Sequence, residues 1–189
     1  IIGIGHNTNG KKSIFKSSHS ISVDNINSYL VSARNIIVHQ RLNILSELPQ
    51  MITGNSPYDN NNLRFDSHYK EDIEKKYPNI KHIIKKTVGA DELLNDIYKW
   101  CFWIPNELLN LAQQIPEINT HIENPRLFRL QGGDVAKSIA NRPHQFRYIH
   151  TAKKSQIIIP IVSSERREYI PIGFIDSNSV VISSAAAIY

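Results

Sequence analysis

The carboxy-terminal part of the chain most constrains its fold. An apolar run, Ile157-Ile158-Ile159-Pro160-Ile161-Val162, leads into Ser163-Ser164-Glu165-Arg166-Arg167-Glu168-Tyr169-Ile170-Pro171-Ile172-Gly173-Phe174 and then into a turn-like Asp176-Ser177-Asn178-Ser179. β-Branched residues suit a pleated, half-buried surface, and Asn, Asp and Ser supply turn chemistry. The stretch predicts strand, charged connection, strand. With strands expected over 144–149, 156–162, 167–174 and 179–189, the end of the chain reads as β-rich. Two readings of Glu165-Arg166-Arg167-Glu168 stand at this point: a salt-bridged surface tip, or a polar edge facing a phosphate backbone.

The upstream chain mixes both kinds of element. Ile1–Ile4 and Ile14-Phe15 flank Asn9-Gly10, a hairpin signal. Asn35-Ile36-Ile37-Val38-His39 reads as a short strand, and Gly54 to Leu63 as a long Asn/Gly/Pro turn. Tyr69, Ile73 and Tyr77 share one face of a helix capped by Asp66 or Ser67 and closed by Pro78. Ile80, Ile83 and Ile84 continue that stripe, with Lys81, Lys85 and Lys86 opposite. Gly89 to Leu94 suggests a helical turn, and Ile97 to Ile104 an aromatic strand with Trp100 and Trp103 on opposite faces. Short helices follow over 106–114 and 115–124, with Pro125 as an interruption, and Asp134 caps another over 135–140. The whole predicts an α+β fold: a twisted, mostly antiparallel sheet with short helices packed on it, in a single domain over 1–189.

Composition removes several classes. The 189 residues are 41% hydrophobic and 21% charged, enough for a packed core. No apolar run is long enough to span a bilayer, and the first residues lack the basic region of a secretory signal. A strand beginning at residue 1 without an initiating Met suggests a piece of a longer protein. The single cysteine, Cys101, excludes an internal disulfide and fits a reducing, cytoplasmic setting. A net charge of +5 and a pI near 9.3 favour an anionic partner. The segment from Arg126 to Arg147 is the most basic: Arg126, Arg129, Lys137, Arg142 and Arg147 stand against Asp134.

Catalytic patterns are missing. There is no phosphate loop ending in Gly-Lys-Ser/Thr, no His-Glu-x-x-His, and no Cys/His spacing for zinc. Gly3-Ile4-Gly5 is followed by His6-Asn7-Thr8 rather than by a helix. Glu71-Asp72-Ile73-Glu74-Lys75 resembles a nuclease carboxylate set only loosely and fits a solvated helix face. Asn124-Pro125 is followed by Arg126, not by the Pro and aromatic residue of an adenine-clamping loop. The expectation is a chain with no active site, metal or cofactor of its own.

Several motifs then converge. Ser163 to Phe174, Gly54-Asn55-Ser56-Pro57-Tyr58-Asp59, Gly89-Ala90-Asp91-Glu92 with Trp100-Cys101-Phe102-Trp103, Phe128-Arg129-Leu130 and Pro143-His144-Gln145-Phe146 resemble, in order, the target-recognition domain of the MmeI-like, type IIL DNA methyltransferases. The chain departs from that pattern at Asn60-Asn61, Asn95-Asp96 and Pro125. The resemblance implies a module that holds double-stranded DNA for a methyltransferase domain of the same polypeptide. That domain would carry S-adenosylmethionine and modify adenine N6. Phosphate contacts would fix register and other side chains would read base edges. The base-reading candidates are Arg129, Thr151, Ala152, Ser184 and Ala186. The phosphate candidates are Arg126, Arg142, Arg147, Lys153, Lys154, Arg166 and Arg167. The competing readings are a protein-docking domain that does not read DNA, and part of a nuclease.

Overall fold

A computed structural model describes residues 10–37, 39–41, 43, 44 and 46–189. The chain divides into two compact units, Ile1–Ser46 and Glu47–Tyr189. In the first, β1 (Lys12–Lys16) pairs antiparallel with β2 (His19–Val23), with Ile14 opposite Ile21. Ser17 takes φ 55° in the connecting turn, the left-handed conformation that primed hairpin turns demand. The expected partner strand at Ile1–Ile4 lies outside the described residues. No strand forms at 35–37, where Ile36 and Ile37 are exposed. Val38, in the middle of the strand expected over 35–39, lies outside the described residues.

The second unit carries two four-stranded sheets, which agrees with the α+β reading but replaces one sheet by two. Its elements in order are β3 (Ile52–Thr53), β4 (Arg64–Phe65), α1 (Ser67–Lys76), β5 (Ile84–Val88), α2 (Ala90–Asn95), β6 (Lys99–Phe102), α3 (Leu109–Gln113), α4 (Pro116–Gln131), α5 (Asp134–Lys137), β7 (Ser155–Pro160), β8 (Gly173–Asp176), β9 (Val180–Val181) and β10 (Ala185–Ile188). One sheet has the order β3-β10-β7-β8, the other β4-β6-β5-β9, antiparallel except where β5 runs parallel to β9.

Alternation along β6 sorts the core. Phe102 joins Phe65, Ile84, Ile118 and Ile122 beneath the helices, while Cys101 faces Leu63, Phe146 and Val180 on the other side. Trp100 and Trp103 pack on these two clusters respectively, as their expected opposite faces require. Phe102 is fully buried, and truncating its ring to alanine would cost about 3–5 kcal/mol.

Helix α1 begins as its sequence requires: the Asp66 carboxylate accepts the Tyr69 N–H at 2.8 Å. After Pro78 the chain makes a 3-10 turn to Ile83 and then strand β5, so Lys85 and Lys86 lie on a strand and not on the helical stripe expected of them. Lys86 sits 3.1 Å from the Tyr98 ring centroid and Lys85 5.6 Å from that of Trp103. Pro125 does not break α4. Its missing N–H is absorbed because Ile118, Ile122, Pro125 and Arg129 are all buried along one side of the helix. Packing overrides the local penalty of an internal proline.

Candidate nucleic-acid interface

The basic segment is organised by two arginines that face inward. Arg129 is 0% exposed. Its Nε donates to the Tyr58 carbonyl at 2.9 Å, Nη1 to those of Ile139 and Arg142, and Nη2 to those of Pro57 and Gln145. Every N–H of the guanidinium is used, which is how a buried cation is tolerated. Burial pushes its pKa down to about 10, the Asp59 carboxylate raises it and the Arg142 charge lowers it. Arg142 donates to the Phe146 carbonyl at 2.9 Å and the Arg147 carbonyl at 2.7 Å. Together the pair staples the 57–58 turn to the 139–147 connection.

These contacts correct one expectation: Arg129, buried with all five N–H donors on main-chain carbonyls, is not placed to read bases. Arg142, expected to meet phosphate, is half-buried and gives Nη1 and Nη2 to the Phe146 and Arg147 carbonyls. Arg126 is half-neutralised by Glu123 at 2.6 Å. No strand forms over 144–149 either; the segment is irregular and held by side chains instead.

What remains exposed is the stretch 147–155, which contains no acid. Asn55, fully buried, clamps it: the side chain accepts the His150 N–H at 2.7 Å and donates to the His150 carbonyl at 3.0 Å. The Arg147 N–H donates to the Ser56 carbonyl at 2.7 Å. The Arg147 guanidinium lies 4.9 Å from the Tyr148 ring centroid, and Tyr148 stacks on His150 at 5.7 Å and 20°. Beyond this pinned stack, Thr151, Lys153 and Lys154 are exposed and Ala152 is half-buried. A rigid platform followed by two free lysines can hold a phosphate backbone and present a ring to a base. Tyr148 and His150 were not singled out from sequence as an aromatic stack. Their spacing of two within a run free of acid is the signal that could have drawn attention to them.

The other candidates lie elsewhere. Ser184 is exposed on a cavity of about 600 Å³ whose lining includes Tyr58, Asn60, Asn61, Arg64 and Lys99. Asn60 and Asn61 take φ 52° and 60°, a left-handed conformation that Asn tolerates. The Ser184 hydroxyl accepts the Ala90 N–H at 3.0 Å, and a Cβ on Gly89 would collide with it and with the Ile182 side chain, so glycine fits there. Glu92 holds the same corner, accepting the Gly89 N–H and pairing with Arg64 at 2.7 Å. Ala186 sits mid-strand between Thr53 and Ile159. Arg166 and Arg167 are exposed in a long connection that holds no strand from 161 to 172. Among the described residues no ion pair braces it, so the salt-bridged tip does not form.

The nuclease-like set dissolves. Ile73 is buried, Glu74 pairs with Lys70 at 3.1 Å, and Glu71 and Asp72 face solvent. Among the described residues no three His, Cys, Asp or Glu side chains group as metal ligands, and no helix is long and apolar enough to cross a membrane.

A family model described as "MmeI, target recognition domain" matches residues 32–189. The chain belongs to that family. As a member of the MmeI target recognition domain family, it is 30% identical over 191 residues to DNA methyltransferase A of Bacillus subtilis (strain 168), covering all of this chain and 22% of that protein. A solved structure of the type IIL restriction-modification enzyme MmeI in complex with DNA superposes with a TM-score of 0.83 at 29% identity, over 94% of this chain and 25% of that one. The target recognition domain thus spans about a quarter or less of the relatives it matches.

Proposed function

We propose that the chain is the double-stranded DNA recognition module of a larger, site-specific adenine-N6 methyltransferase working in the cytoplasm. The observation that carries the reading is the acid-free platform at 147–155, pinned by Asn55 and by the two inward arginines in a domain of the MmeI target recognition family. Arg147, Lys153 and Lys154 hold phosphates, with Arg166 and Arg167 reaching the backbone from the far end of the β7–β8 connection. Thr151, Ala152 and Ser184 are the base-facing positions, and Tyr148 offers its ring.

The methyl-transfer chemistry belongs to the rest of the polypeptide. Asn124 and Pro125 lie inside α4 with Pro125 buried, so they cannot form a loop around an extruded adenine.

The test uses the full-length methyltransferase and duplex DNA across a salt series. Lys153→Ala and Lys154→Ala are each expected to reduce the slope of log affinity against log salt by about 1. Exchanging residues 151–154 for those of a relative with another target should move the methylated site. An unchanged slope together with an unchanged site would refute the reading.

A further inference from the structure

The turn from Pro57 to Leu63 is pinned from both sides, and two of its side chains are left over. Arg129 holds the Pro57 and Tyr58 carbonyls at 2.9 Å. Asp59, 3% exposed, accepts the Asn61 N–H at 3.1 Å through Oδ1 and the Leu63 N–H through Oδ2. Asn62 donates from its side-chain amide to the Asp59 carbonyl at 2.8 Å and the Asn60 carbonyl at 3.2 Å, and its side-chain oxygen accepts from Asn124 Nδ2 at 3.0 Å. Asn60 and Asn61 differ from their neighbours. Both are exposed on left-handed backbone, and among the described residues neither carboxamide has a hydrogen-bond partner. A fixed backbone thus presents two adjacent amides with their donors and acceptors unspent. Glycine adopts this conformation most easily, so side chains kept there point to a use for them.

We propose that Asn60 and Asn61 are specificity-determining residues that read an adenine in the major groove. Both line the cavity of about 600 Å³. Ser184 ties the turn to the DNA side of the domain, because it is a base-facing position and lines the same cavity. The charges around that cavity do not suit a phosphate. Glu92 takes up Arg64 at 2.7 Å, which leaves Lys99 to face both Asp59 and Asp91. Carboxamides and a hydroxyl over such a floor suit a base edge instead. A carboxamide carries an acceptor and a donor side by side. Adenine shows the complementary pair, N7 and the N6 amino group, whereas guanine shows two acceptors and cytosine a donor alone. This role presupposes that the module reads DNA and adds two residues to those that do so.

The test replaces both residues in the full-length methyltransferase. Asn60→Gly with Asn61→Gly removes the carboxamides from a backbone that glycine adopts freely, so the melting temperature should stay near wild type. Methylated adenines mapped across the genome of a host expressing this variant should show one position of the site relaxed. That position is an A·T pair in the wild-type site, and preference for it should fall about 10-fold or more. Placing 7-deazaadenine, which lacks N7, at that pair should weaken duplex binding by the wild type and leave binding by the variant unaffected. In a second variant, Asn60→Asp with Asn61→Asp, the carboxylates only accept, so preference at that position should move towards cytosine. An unchanged site in both variants overturns the proposal, as does relaxation at a G·C pair. An equal loss of affinity for every sequence also overturns it, because that assigns the pair to the phosphate backbone. Exchange of residues 151–154 separates the two failures. If it moves the methylated site while these variants do not, the module reads DNA and Asn60 and Asn61 take no part.

Discussion

Replacing Arg129 by Met separates a bracing residue from a base reader. Methionine is unbranched and apolar and occupies much of the same volume, so the change removes the charge and its five hydrogen bonds with little loss of packing. Five carbonyls from two loops then lose their donor. Each buried polar group left unmade costs about 1–3 kcal/mol, but relaxation and water entry recover part of the sum. The net loss expected is about 3–5 kcal/mol, the range seen when a buried charged network loses a partner. For a unit of this size that is a fall in melting temperature of about 10 °C or more. Arg129→Lys should not rescue it, because one ammonium has three donors and no planar fork. Urea unfolding followed by circular dichroism provides the measurement. If Arg129→Met unfolds within about 1 kcal/mol of wild type but loses sequence discrimination in a methylation assay, the bracing argument is refuted and the guanidinium reads bases after all.

Two further outcomes follow from buried groups. Cys101 is wholly buried between Arg64 and Lys85, and desolvation pushes its thiol up to about 12 despite those cations. Ellman's reagent should therefore label it only on unfolding; prompt labelling of the native protein would contradict the burial. His144 is held below the usual histidine range, first by burial and then by the Arg129 and Arg142 charges. Its Nδ1 has no partner, while Nε2 donates to Asn106 Oδ1 at 2.9 Å. The unfolded chain takes up this proton first, so stability is complete above about pH 6.5 and declines as pH falls below that value. The urea midpoint of wild type should drop between pH 7 and pH 5.5 more steeply than that of His144→Gln; parallel profiles would remove His144 from the account.

Local signals in the sequence carried the elements whose chemistry is local. The Asp66 cap, the alternation of Trp100, Cys101, Phe102 and Trp103, and the strand at Ile157 to Ile159 all appear where the pattern places them. The misreadings share one cause, a tertiary partner that no window of sequence contains. Pro125 is helical because Ile122 and Arg129 are buried beside it. Residues 144–149 are not a strand because Arg129 and Arg142 already hold the carbonyls of Gln145, Phe146 and Arg147, and the Ser56 carbonyl holds the Arg147 amide. Lys85 and Lys86 leave the helix because β6 is available to pair with Ile84 to Thr87.

The same cause decides which arginines are free to act. The segment 126–147 is the most basic by count, yet three of its four arginines are engaged within the domain. Sequence reveals how much charge a segment holds; geometry reveals how much of it faces outward. The connection after β7 runs the opposite way. Of the two readings of Arg166 and Arg167, the salt-bridged tip does not form and both are exposed, while the apolar residues beside them, Tyr169, Ile170 and Ile172, are exposed as well. The outward charge of this part of the chain therefore sits at Lys153 and Lys154, beyond the arginines that brace the domain.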